Sequence, residues 1–297
     1  MKKGKRMIHY VFLSLSLALI IAQNTPILAS IQVEELFVIS KFIKKGDIVF
    51  DVGANKGDWS TAVLQQHSPK SIYAFEPIPP LATTLRSLFC NQPVHIFQLG
   101  VSSHQGTSTF DYYPDASELS GIYNRPVLQK KPTVLTIDVT SLDLFCNQHQ
   151  IHGIDFLKID TEGSEFDVLR GSTELLKKKA IKAIQFEYGG TYNDAKTTLQ
   201  NVFEFLSQFG FIFYKMNKTE LRPIHTFTKE LEDYEYVNYL AIQGIPGADV
   251  QPIAVVQIAI PVWYLLLNRI ARGYTKIKAL FLTFVDHLKK KINSAVA

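Results

Sequence analysis

The stretch Asp51-Val52-Gly53-Ala54-Asn55-Lys56-Gly57-Asp58-Trp59-Ser60 constrains this chain more than any other. It follows Ile48-Val49-Phe50, a β-branched and aromatic run that reads as a buried strand, and it opens into a helical pattern. A strand that ends in glycine and turns at once into a helix lets the backbone bend tightly and approach a ligand. The helix N-terminus then offers unpaired N–H groups to a negative group. The spacing is not G-x-G-x-x-G, which disfavours a dinucleotide and with it a nicotinamide-dependent oxidoreductase. A leading acid before Gly-x-Asn-x-Gly suits instead a cationic cofactor that carries a small carboxylate.

The pattern around this turn is that of an α/β domain. Further strands are predicted at residues 71–75, 94–99, 155–159, 181–187, 211–214 and 236–242. Helical stretches lie between them, with Leu81, Leu85, Leu88 and Phe89 on one face of the first and Leu199, Val202, Phe203 and Leu206 on one face of another. Alternating strand and helix implies a mostly parallel sheet of seven strands with helices on both faces, a Rossmann-like arrangement. The two cysteines, Cys90 and Cys146, have no C-x-x-C partner and no histidine at ligand spacing, and both read as buried free thiols. A formal charge of +4 over 297 residues is too weak to argue for a nucleic-acid partner.

That charge excess sits at the ends. Lys2-Lys3-Gly4-Lys5-Arg6 precedes an uncharged apolar run to residue 33, the pattern of a signal peptide or signal anchor. Residues 250–268 carry no charge either, have Trp263 and Tyr264 near the end, and are followed by Arg269 and Arg272. That is about the length that crosses a bilayer. Beyond it, Ile270, Tyr274, Ile277, Phe281, Phe284 and Leu288 form the apolar face of a basic amphipathic helix, suited to a membrane surface or to pairing with another helix through a heptad-like seam. The expected division is a leader at 1–33, the α/β domain at 34–249 and a membrane-seeking tail at 250–297. The expected location is a membrane-associated domain facing the cytosol, with a secreted or periplasmic domain as the alternative.

A second motif follows the glycine turn by about twenty residues. Ser71-Ile-Tyr-Ala-Phe75-Glu76-Pro77 is a strand ending in an acid, placed to accept both hydroxyls of a ribose. Together with Ile154-Asp155-Phe-Leu-Lys158-Ile-Asp160-Thr-Glu162-Gly163-Ser-Glu165 and Ile184-Gln185-Phe186-Glu187-Tyr188-Gly-Gly190, these blocks resemble the FkbM family of S-adenosylmethionine-dependent methyltransferases over residues 46–242. The resemblance implies a class I methyltransferase fold, with Asp51, Gly53, Asn55 and Gly57 at the methionine end of S-adenosylmethionine. It also implies Glu76 on the ribose and the turn at Ser102 beside the adenine. Asp160 would face the reacting methyl.

Methyl transfer to a hydroxyl also requires loss of the hydroxyl proton, and the carboxylates of Asp160, Glu162 and Glu187 are the candidate bases for that step. Asp160 and Glu162 are also candidate ligands for a divalent cation, a hard ion that takes oxygen donors. Glu165 reads as a charge at a helix N-terminus. The expected acceptor is a hydroxyl on a small molecule, sugar, glycan or secondary metabolite. The competing reading is a catalytically inactive, membrane-tethered nucleotide-binding module.

Overall fold

Four of the five residues of β1 (Ile48–Val52) are buried, as a strand covered on both faces must be. In the computed structural model, which describes residues 31–128, 130–244 and 251–254, β1 pairs in parallel with β2 (Ser71–Phe75) and with β7 (Ile154–Ile159). Beyond β2 lies β3 (Val94–Phe97) and beyond β7 lies β8 (Ile181–Tyr188), all parallel. Then β11 (Val237–Gln243) runs antiparallel to both β8 and β9 (Phe211–Met216). These are the seven strands that the hydrophobic pattern predicts.

The far edge carries two more, β10 (Glu220–Ile224) and β12 (Ile253–Ala254), both antiparallel additions. The sheet therefore has nine strands in the order β12-β10-β9-β11-β8-β7-β1-β2-β3. Pro223 hides β10 in the sequence, because proline removes a ladder donor. It is tolerated here because β12 pairs only with Glu220 and Leu221, leaving the strand an edge at the proline. The sheet also reaches past the domain boundary expected at residue 249, since Ile253 pairs with Leu221.

Adjacent side chains on the central strands point to opposite faces, and helices cover both. On one face Trp59 of α2 (Asp58–Gln66) stacks on Phe156, with ring centroids 5.8 Å apart. On the other, Phe145 of α4 (Leu142–Gln148) meets Phe50 edge-on at 6.0 Å. In α8 (Leu199–Ser207), capped by Thr198, the four residues predicted to share a face are all buried. Each such side chain contributes about 1.5–3 kcal/mol by leaving water. In α3 (Pro79–Leu88) the predicted stripe is interrupted. Leu85 is fully buried, while Leu88 is 43% exposed and Leu81 turns towards a separate cluster around Ile78 and Ile137. The cysteines also differ, with Cys146 buried and Cys90 exposed.

Ile137 belongs to a small second sheet that the sequence reading does not contain. It is made of β4 (Gly100–Val101), β5 (Gly106–Tyr112) and β6 (Thr133–Thr140) in the order β4-β6-β5. The alternation of Leu135, Ile137 and Val139 with polar residues was a legible strand signal. Among the described residues no helix is long and apolar enough to cross a membrane. The leader expected at 1–33 lies almost wholly outside the described residues, as does the tail beyond residue 254.

Candidate active site

The strand order reverses at β1, since the chain builds outward to β3 and then returns to lay β7 on the other side of β1. Ligands of open α/β sheets bind outside the carboxyl ends of the strands at such a point. The glycine loop leaves β1 there, and the acid-rich turn 160–163 leaves β7 beside it. Gly53 has a φ of +82°, and a Cβ on it would lie 1.7 Å from the backbone oxygen of Asp160. Glycine at this position is therefore what lets the two loops touch.

Each of the cofactor-side residues named from the sequence except Ser102 is tied into this corner. Asp51 is fully buried, and its Oδ2 accepts from the Ser60 hydroxyl at 2.6 Å. Asn55 adopts a left-handed φ of +46°, and its side-chain oxygen accepts from Ser117 at 2.9 Å. Gly57, also left-handed, caps α2. Glu76 is buried, with one oxygen accepting from the Asn55 N–H and the other from the Ile78 N–H, each at 2.8 Å. Burial pushes its carboxyl up to about 7 despite those two N–H groups. Ser102 is held elsewhere, by an N–H bond to Thr140, and it packs under Gly171.

Asp160, Glu162 and Glu187 come together, each offering a carboxylate oxygen within 4.8 Å of the others. Burial, and then the neighbouring Asp160, push the Glu162 carboxyl up to about 8. The Glu187 carboxyl lies well above the usual range, because burial comes together with Asp160, Glu162 and Glu165 around it. Glu165 opens the helix Glu165–Arg170, at the helix N-terminus where the sequence places it. It is buried and clasps the turn, accepting from the Thr161 N–H at 2.8 Å and the Gly163 N–H at 3.0 Å.

Three residues central to the site were not assigned roles from the sequence. Lys158 is buried between Asp51 and Asp160, with its Nζ 3.4 Å and 3.2 Å from their carboxylates. Arg125, from the loop between β5 and β6, is also buried. It donates to Glu162 at 2.8 Å and to the Tyr236 hydroxyl at 2.6 Å. Lys158 was readable as a charge inside the apolar run from Phe156 to Ile159. Nothing local marks Arg125 or Tyr236, which lie 37 and 74 residues from Glu162.

This chain's residues 51–213, which hold nearly all of that geometry, match the Methyltransferase FkbM domain. The chain belongs to the FkbM methyltransferase family. It is similar to the 2-O-methyltransferase NoeI of Sinorhizobium fredii (strain NBRC 101917 / NGR234), at 27% identity over 156 residues, covering 48% of this chain and 63% of that protein. It is also similar to the 31-O-demethyl-FK506 methyltransferase FkbM of Streptomyces tacrolimicus, at 29% identity over 157 residues, covering 43% and 60%. The chain thus spans somewhat under two thirds of the length of these relatives. Among solved structures, the crystal structure of methyltransferase FkbM from Methylobacillus flagellatus KT matches at a TM-score of 0.44 and 14% identity, over 67% of this chain and 44% of that one. The α/β architecture, with β1 at the reversal point and β11 antiparallel, is the class I methyltransferase fold.

Proposed function

We propose that this chain is an S-adenosylmethionine-dependent O-methyltransferase acting on a hydroxyl of a sugar, glycan or secondary metabolite. The observation that carries the reading is the meeting of two loops at the sheet's reversal point. One holds the glycine turn with buried Asp51 and Glu76, and the other presents Asp160 and Glu162 towards Glu187. A module that had kept the fold without the chemistry would have no need to gather three carboxylates there, which favours the enzyme.

The residues present fit the cofactor. Gly53, Asn55 and Gly57 give a close-approach backbone, Asp51 sits beneath it, and the Glu76 carboxylate lies at the end of the next strand for the ribose hydroxyls. When bound, S-adenosylmethionine supplies an electrophilic methyl on a sulfonium, which passes to an acceptor oxygen as the carbon–sulfur bond breaks. The protein's own task is to orient the acceptor and take its proton onto a carboxylate of the 160–187 cluster. Glu187 and Glu162 hold protons more tightly than ordinary carboxylates, so a group of this cluster can receive the hydroxyl proton near neutral pH. Asp160, Glu162 and Glu187 also have the spacing and hardness to hold a divalent cation, which would supply Lewis acidity at the acceptor hydroxyl. Arg125 and Tyr236 are tied to Glu162 and so would stand beside an acceptor held at these carboxylates.

Isothermal titration of S-adenosylmethionine into the full chain, beside an Asp51→Ala/Glu76→Ala variant, tests the reading. Binding by the native chain alone supports it, and the acceptor is then sought by methyl transfer to a panel of sugars and polyols. A folded native chain that does not bind the cofactor sinks it.

A further inference from the structure

The sequence motifs point to acids, yet the geometry at the centre of the corner is organised by a cation. Lys158 lies on β7, in register with Asp51 on β1 and with Gln185 on β8. Its ammonium group has three N–H donors and no other polar atom. Three oxygens stand around it, namely Asp51 Oδ1 at 3.4 Å, Asp160 Oδ2 at 3.2 Å and the Gly53 carbonyl at 3.3 Å. Two of those oxygens belong to the glycine loop of β1 and one to the acid turn of β7.

The surroundings keep Lys158 charged. Its side chain is only 6% exposed, and burial by itself works against the ammonium. Asp160, Asp51 and Glu35 outweigh that, so its pKa lies above the ordinary lysine value. Glu35 comes from α1 (Val33–Phe42) and is itself held by the Gln185 amide at 2.8 Å. The three oxygens nearest this buried cation all belong to the protein: it donates to the Gly53 carbonyl and lies within ion-pair range of the Asp51 and Asp160 carboxylates. Its effect on a ligand must therefore pass through the groups it holds.

We propose that Lys158 is the positioning residue of the cofactor pocket, clamping the Gly53 carbonyl and Asp51 to Asp160 so that the amino-acid end of S-adenosylmethionine meets a preformed surface. The inference rests on the methyltransferase reading and deepens it. On that reading Gly53 and Asp51 would face the part of the cofactor that carries the amino and carboxylate groups, whereas the ribose falls to Glu76 at the end of β2, on which Lys158 acts only as the weakest of several influences. The clamp therefore predicts a split between two ligands. S-Adenosylmethionine should depend on Lys158, and 5′-deoxy-5′-methylthioadenosine, which has the same nucleoside and methylthio group but no amino-acid end, should not.

The test is isothermal titration of both ligands into the full chain, into Lys158→Met, and into Lys158→Met/Asp160→Asn. The double variant removes one of the acids that the single change leaves unpaired, and so protects the fold. The expected result is a loss of about 10- to 100-fold in S-adenosylmethionine affinity, the worth of a hydrogen bond to a charged group. Methylthioadenosine affinity should stay within about twofold in whichever variant melts cooperatively. Equal losses for the two ligands, no loss in a folded variant, or failure of both variants to fold would each overturn the positioning role. Lack of S-adenosylmethionine binding by the native chain would overturn the methyltransferase reading itself, and with it this inference.

Discussion

Replacing Gly53 by alanine isolates the contact on which the site depends, and Gly46 provides the control. Both residues have left-handed backbones, with φ of +82° and +87°. A Cβ at Gly46 meets nothing within 4 Å, so Gly46→Ala should cost only the conformational penalty, about 1–2 kcal/mol. A Cβ at Gly53 would stand 1.7 Å from the Asp160 backbone oxygen, where real contacts do not fall below 3.0 Å. The ends of β1 and β7 must then part by 1.3 Å, the difference between 3.0 and 1.7. Parting them strains the Asp160 N–H bond to the Val52 carbonyl at 3.0 Å and the Lys158 contact to the Gly53 carbonyl at 3.3 Å. A neutral bond contributes about 1 kcal/mol and one to a charged group about 1.5–3 kcal/mol. Added to the same conformational penalty, Gly53→Ala should cost about 4–6 kcal/mol. Urea denaturation of the two variants, followed by circular dichroism, gives the comparison. If Gly53→Ala is no more destabilising than Gly46→Ala, the two loops do not meet as described and the argument for a preformed corner fails.

Further outcomes follow from the same site. Glu76 has a folded pKa of about 7 against an ordinary 4.5, so its contribution to stability is complete below pH 4.5 and is lost as pH rises through about 7. The ionised form is the better acceptor for ribose hydroxyls, so S-adenosylmethionine affinity should rise about tenfold between pH 6 and pH 8. Glu76→Gln should flatten both trends in titrations across that range. Arg125→Met removes the cation that lowers the Glu162 carboxyl, which then holds its proton still more tightly. Losing the ion pair with Glu162 and the bond to Tyr236 should cost about 2–3 kcal/mol in urea melts. Tyr236→Phe keeps that ion pair and should cost about 1.5 kcal/mol or less, and equal effects of the two changes would contradict the assigned geometry. Manganese should raise the melting temperature of the native chain but not of Glu187→Gln, and an unchanged native melt at millimolar metal would argue against a cation among the three acids.

The site was partly legible because much of it is local. The glycine turn, the acid closing β2 and the acid-rich turn after β7 each lie within about ten residues, where spacing and backbone requirements speak directly. The seven strands of the sheet were legible for the same reason, since a buried strand must carry an unbroken or alternating apolar run. Where a residue's place depends on distant partners, the reading faltered. Leu88 satisfies the helical period of α3 yet is exposed, because α3 packs through Leu85 and turns Leu81 to the small sheet. Glu165 does open a helix as read, but its burial and its hold on the 161–163 turn come only from the tertiary structure.

The amino-acid sequence by itself therefore determined the family, the parallel core and the acids that the fold gathers at the sheet's reversal point. Those follow from short-range chemistry, in which a strand, a turn and a helix fit within one stretch of chain. Only the tertiary structure decided how the acids are held. Lys158 reaches Asp51 across 107 residues of chain, and Arg125 brings Glu162 and Tyr236 together from three separate loops. A buried charge acquires its meaning from the partners that desolvation forces it to find, and those partners are fixed by sheet order and register.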